Sequence, residues 1–141
     1  GLLPGGHRGR HQDGLIVPNV KDADKKSILQ IARELEDLAQ KARRRTLDLK
    51  DLRGGTFTIT NYGSIGGLFG TPIINYPEAG ILGVGRMTEK PVAEAGAIRV
   101  RKTLPLSLTF DHRLVDGGHA QHFLNDVIRH IEDPDLILVG M

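Results

Sequence analysis

The sequence predicts an α+β domain, a mixed sheet with helices packed mainly on one face. Two stretches, residues 27 to 44 and 117 to 132, repeat apolar residues every three or four positions, as amphipathic helices do. Between them lie short runs that alternate β-formers or read as wholly apolar, as half-buried and buried strands do. Glycine and proline, 18 and 7 of the 141 residues, punctuate these runs. That length suits one hydrophobic core rather than two.

Residues 1 to 12 hold four glycines, a proline and no periodicity, and are expected to be a flexible or non-native tail. His7 and His11 lie in it, and no metal site is assigned to them. Residues 13 to 141 are expected to be part of one domain. Asp13-Gly-Leu-Ile-Val-Pro-Asn-Val20 reads as an edge strand, or a strand ending at a bend, because Pro18 interrupts it. Ser27 and Gln30 form a capping-box pair that opens the first helix, with Ile28, Ile31, Leu35 and Leu38 on its apolar face. Thr46 to Leu52 reads as a short helical connection ended by Gly54-Gly55.

Thr56 to Asn61 alternates strongly and predicts a strand. The next segment, Tyr62-Gly-Ser-Ile-Gly-Gly-Leu-Phe-Gly70, carries four glycines in nine residues, so its backbone turns sharply or approaches something closely. It lacks the Gly-Lys-Ser/Thr ending of a nucleotide P-loop. Gly80 to Gly85 predicts a buried strand and residues 86 to 96 a hairpin connection. Ala97 to Lys102 and Leu104 to Phe110 predict two strands, expected to be antiparallel neighbours. Asp133-Pro134 stops the last helix, and an apolar tail follows, expected to contact another subunit.

Composition excludes several chemistries. With no cysteine there is no disulfide framework, no thiolate nucleophile and no Cys-based metal site, and an intracellular compartment is the default expectation. The formal charge is +2, and the basic runs Lys41-Ala-Arg-Arg-Arg45 and Arg99-Val-Arg-Lys102 fall at a helix end and in a strand. They read as carbonyl caps and a solvated face rather than a nucleic-acid footprint. No apolar run is long enough to span a bilayer, so neither nucleic acid nor membrane is expected as a partner.

The chemistry concentrates in Leu104-Pro-Leu-Ser-Leu-Thr-Phe-Asp-His-Arg-Leu-Val-Asp-Gly-Gly118, where an apolar strand ends in charge and turns into a helix. Histidine exchanges a proton near neutral pH, which suits His112 to general-base work in group transfer from a thiol or alcohol. A plain turn histidine is the alternative. Asp116, four residues on, either orients that imidazole or locks the turn by pairing with an arginine such as Arg113. A metal site built from His112, Asp116, His119 and His122 lacks ligands from any second segment and is not assigned.

Three stretches then point one way together: Gly55-Thr-Phe-Thr-Ile-Thr-Asn-Tyr-Gly-Ser-Ile-Gly-Gly67, Thr71-Pro-Ile-Ile-Asn-Tyr-Pro-Glu-Ala-Gly-Ile-Leu-Gly-Val-Gly85, and Ser107-Leu-Thr-Phe-Asp-His-Arg-Leu-Val-Asp-Gly117. With these, the chain resembles the C-terminal catalytic domain of dihydrolipoamide acyltransferases, the core components of 2-oxo acid dehydrogenase complexes, N-terminally truncated. The resemblance implies a chloramphenicol acetyltransferase-like fold and acyl transfer between a lipoyl thiol, carried on a separate domain, and coenzyme A as substrate, without a metal. It implies His112 as general base and Thr60 as hydroxyl donor to the oxyanion. Asp116 is the motif's aspartate, and Gly66 and Gly67 line a substrate tunnel. It also implies a homotrimer that assembles into a cubic or icosahedral core with lipoyl domains and other complex subunits, in the bacterial cytoplasm or the mitochondrial matrix. Acetyl is the first expectation for the acyl group, with branched-chain acyl and succinyl open. The alternatives are a catalytically inactive core or assembly fragment, and another coenzyme A-dependent acyltransferase with the same motif.

Overall fold

The computed structural model describes residues 16–139. The tail expected over residues 1 to 12 lies outside them, as do the start of the strand expected over 13 to 20 and the end of the apolar C-terminus. Residues 16 to 20 form no ladder. Pro18 is buried and has no amide to donate, and the Asn19 amide is spent on the Asp51 carbonyl at 2.7 Å, so the expected edge strand is an irregular packed segment.

Helix α1, Ile28–Arg44, begins where its cap predicts. The Gln30 amide donates to Ser27 Oγ at 3.3 Å, and the Ser27 amide donates back to Gln30 Oε1 at 2.7 Å. A short α2, Leu49–Leu52, follows. The strands are β1 Thr58–Asn61, β2 Gly80–Val84, β3 Thr88–Glu94, β4 Ala97–Thr103 and β5 Leu106–Phe110. Helices α3, Gly117–Glu132, and α4, Asp135–Val139, complete the order.

The main sheet runs β1-β2-β5, with β1 parallel and β5 antiparallel to β2, so it is mixed as expected. Two expectations need correction. Residues 86 to 96 are not merely a connection, because they contain β3, and β4 pairs with β3 rather than with β5. Reversal needs residues that accept positive φ. Ala95 and Gly96 do so, at φ 50° and 77°, whereas Leu104-Pro105 carries the chain onward from β4 to pair β5 with β2.

Side chains alternate across the sheet, and directly paired residues share a face. One face presents Phe57, Ile59, Leu108 and Phe110 to the helices. Phe123 of α3 meets Phe57 edge-on, with ring centroids 5.5 Å apart, and Ala120 is buried there. Ile31 and Leu35 of α1 line a cavity with Phe57 and Ile59, which places both long helices on this face. The opposite face carries Thr58, Thr60, Ser107 and Thr109 and is covered by the glycine-rich segment after β1. The close approach that its glycines predict is real: a Cβ on Gly63 would strike the Gly85 backbone, and one on Gly85 would strike the Leu68 carbonyl.

Candidate active site

Thr60 sits half-buried in β1, and the register aligns it with Gly83 of β2 and Ser107 of β5 in one row across the sheet. On either side of Thr60 the same face is pinned. Thr58 Oγ1 donates to the buried Glu78 carboxylate at 2.5 Å, and the Tyr62 hydroxyl donates to Ser107 Oγ at 3.1 Å. The Tyr62 ring lies over Gly83, where an added Cβ would stand 2.7 Å from Cε1 and 3.3 Å from Cγ of Pro72.

His112 projects from the turn after β5. Its ring is exposed and stacks obliquely on Phe110, with centroids 5.7 Å apart and planes at 36°. Among the described residues, no group hydrogen-bonds its imidazole. Phe110 faces the helices and the His112 ring lies against it, whereas Thr60 is on the opposite face of the sheet.

The turn is held by a pair that the sequence reading did not assign. Arg113 binds Asp111, with Nε donating to Oδ1 at 2.9 Å and Nη2 to Oδ2 at 2.6 Å, and its amide donates to Oδ1 at 3.0 Å. The Arg113 side chain and then its amide lower the Asp111 carboxyl from 3.8 to about 2. Arg113 is thereby unavailable to Asp116, which corrects the pairing considered for it. Asp116 instead caps α3: Oδ1 accepts the His119 amide at 2.8 Å, and Oδ2 meets His119 Nδ1 at 2.8 Å. These bonds, the amide first, hold the Asp116 carboxyl below its ordinary value.

Gly66 adopts φ 95° with open space where a Cβ would be, while Gly67 packs inward on Tyr62, 3.0 Å from its Cδ2 on the same test. Only the first presents an open side. Among the described residues, no three His, Cys, Asp or Glu gather as a metal would require. A cavity of about 210 Å³ lies beneath His112's neighbour Phe110, between Leu108, Ala120 and Phe123. Tyr62, Ser107, Glu78 and Asp111 were not singled out from the sequence. A tyrosine at the head of a glycine-rich run and a glutamate amid apolar residues were the signals available for two of them.

The family model described as 2-oxoacid dehydrogenases acyltransferase (catalytic domain) matches residues 10–139. The dihydrolipoyllysine-residue acetyltransferase component of the pyruvate dehydrogenase complex from Bacillus subtilis is 48% identical over 128 residues, 91% of this chain and 29% of that protein. A crystal structure of the Azotobacter vinelandii dihydrolipoamide acetyltransferase superposes with TM-score 0.85 at 43% identity, over 90% of this chain and 52% of that one. It is described as an investigation of a serine, a histidine and an asparagine in that enzyme's catalytic mechanism. The cubic core of the pyruvate dehydrogenase multienzyme complex also superposes with TM-score 0.85, at 42% identity over 90% of this chain and 52% of that one. The chain thus spans about half of these solved relatives and under a third of the curated one.

Proposed function

This chain belongs to the family of 2-oxoacid dehydrogenase acyltransferase catalytic domains, and from that premise we propose that it moves an acetyl group between a lipoyl thiol and the thiol of coenzyme A. One observation carries the assignment of residues. The serine, histidine and asparagine named for the Azotobacter enzyme are separated by 52 and then four positions. Thr60, His112 and Asp116 have those same separations. Threonine keeps the hydroxyl of serine, and aspartate, like asparagine, carries a side-chain oxygen that accepts hydrogen bonds.

In this reading His112 takes the proton of the attacking thiol, and the thiolate adds to the thioester carbonyl. Thr60 donates its hydroxyl to the tetrahedral oxyanion. Collapse of that intermediate expels the second thiolate, which recovers the proton from the imidazolium, so no proton or group is left over. Asp116 serves the turn. Its oxygens are engaged by the α3 amide and by His119, and it holds the helix start from which His112's turn departs. Gly66, on the open side of the glycine-rich segment, remains a candidate for tunnel lining, with Gly67 behind it.

In the same reading the site forms between neighbouring copies, His112 from one and Thr60 from the next, supported by the His112 ring lying against Phe110 on the helix side while Thr60 is on the other face. The assembly proposed is a homotrimer built into a cubic or icosahedral core, visited by lipoyl domains, in the bacterial cytoplasm or mitochondrial matrix. The test is acetyl transfer from acetyl-CoA to dihydrolipoamide by this chain and its His112→Ala variant, with oligomer mass recorded on the same samples. A loss of about a hundredfold or more in a still-trimeric variant is expected. Undiminished turnover would remove His112 from the mechanism, and trimers of the unaltered chain without turnover would leave an assembly module.

A further inference from the structure

The row Thr60–Gly83–Ser107 has a gap at its centre, and the side chain that fills it comes from β1's own end. Tyr62 follows Thr60 by two residues, so it starts on the same face. Its amide continues the ladder by donating to the Val84 carbonyl at 3.1 Å. Its ring then crosses over Gly83, and its hydroxyl reaches Ser107 Oγ on β5 at 3.1 Å. Three glycines make the slot: an added Cβ would stand 3.0 Å from the ring at Gly67, 3.1 Å at Gly70 and 2.7 Å at Gly83. The Tyr62 carbonyl also accepts the Ile65 and Gly67 amides at 3.3 and 3.0 Å, so the same residue folds the glycine-rich segment down onto the sheet.

We infer that Tyr62 is a positioning residue: clasped in the Gly67–Gly70–Gly83 slot and tied to Ser107, it walls the β2 side of Thr60 and fixes the direction of the threonine hydroxyl. A glycine beside Thr60 would otherwise leave that side chain free to rotate between staggered wells. The ring supplies the wall, and the bond to Ser107 stops the ring from swinging out. This rests on the reading of Thr60 as oxyanion donor, because a donor helps only if it is aimed before charge develops.

The test begins on the chain itself, with threonine methyls labelled and the Thr60 χ1 populations read by NMR in the Tyr62→Phe and Ser107→Ala variants. Phenylalanine keeps the ring and loses the tether, and alanine removes its acceptor. The expected result is a Thr60 χ1 that becomes averaged in both, while Thr88 and Thr103 of the separate hairpin keep their signals. An unmoved Thr60 overturns the inference, and so does a general change in all threonines with a lowered melting temperature, which would mark a purely structural role.

Kinetics then separate this inference from the reading beneath it. Tyr62→Phe is expected to lower kcat about threefold to tenfold at unchanged KM, the scale of one hydrogen bond. In a Thr60→Ala background it is expected to add nothing. Full kcat in Thr60→Ala would sink the donor reading and the purpose of the brace with it. Reduced kcat in Thr60→Ala with full kcat, or an independent multiplicative loss, in Tyr62→Phe would sink the brace alone.

Discussion

At the scale of single residues, the groups proposed to react stand out in the sequence and the groups that hold their surroundings do not. His112 draws attention because a strand ends in Asp-His-Arg shortly before a glycine pair, whereas Asp111 two positions from Arg113 looks like ordinary surface charge. The structure makes it a clamp. Asp111 is lowered from 3.8 to about 2, below its unfolded value, so it favours the folded turn fully above the ordinary carboxylate range. That support is lost as pH falls through about 2. A titration of the Asp111 carboxyl carbon is therefore expected to have its midpoint near 2, and a higher midpoint in Arg113→Ala, which removes the guanidinium but keeps the backbone amide bond. A midpoint near 3.8 in the unaltered protein would mean that the pair does not form in solution. Glu78 was hidden for a different reason: its donor, Thr58, is 20 positions away and becomes a neighbour only through the parallel pairing of β1 with β2.

At the scale of elements, what was readable was local. The start of α1 depends on groups three residues apart, and Ser27 and Gln30 exchange both bonds of the box. Ser27→Ala is expected to lower stability by about 1 kcal/mol, read as a shift in the denaturant midpoint at unchanged slope. No shift would mean that tertiary packing fixes the helix start without the cap. Strand pairing was less readable because partners are remote. β3, Thr-Glu-Lys-Pro-Val-Ala-Glu, shows no apolar alternation, since nearly all of it is exposed, and Pro91 argues against a strand unless the strand lies at an edge. In a two-stranded hairpin both strands are edges. Once β4 is taken by β3, β5 is left to β2, and that pairing sets Phe110, against which the His112 ring lies, on the face away from Thr60.

At the scale of the whole molecule, a single copy leaves much apolar surface in water. Ile73, Tyr76 and Ile98 are 89%, 89% and 82% exposed, against four buried apolar side chains among the described residues. Association between copies would cover that surface, and the shared site proposed above makes a prediction that no single-chain site shares. Thr60→Ala chains keep His112, and His112→Ala chains keep Thr60, and each alone is expected to retain about a hundredth of the activity or less. When equal amounts are dissociated together and reassembled, a junction works only if its histidine comes from the first variant and its threonine from the second. Random mixing makes about one junction in four complete, so about a quarter of the unaltered activity is expected to return. The two proteins mixed without dissociation are expected to show none of it, which controls for contamination. If both groups acted from the same chain, every chain in the mixture would still lack one of them, and reassembly would restore nothing.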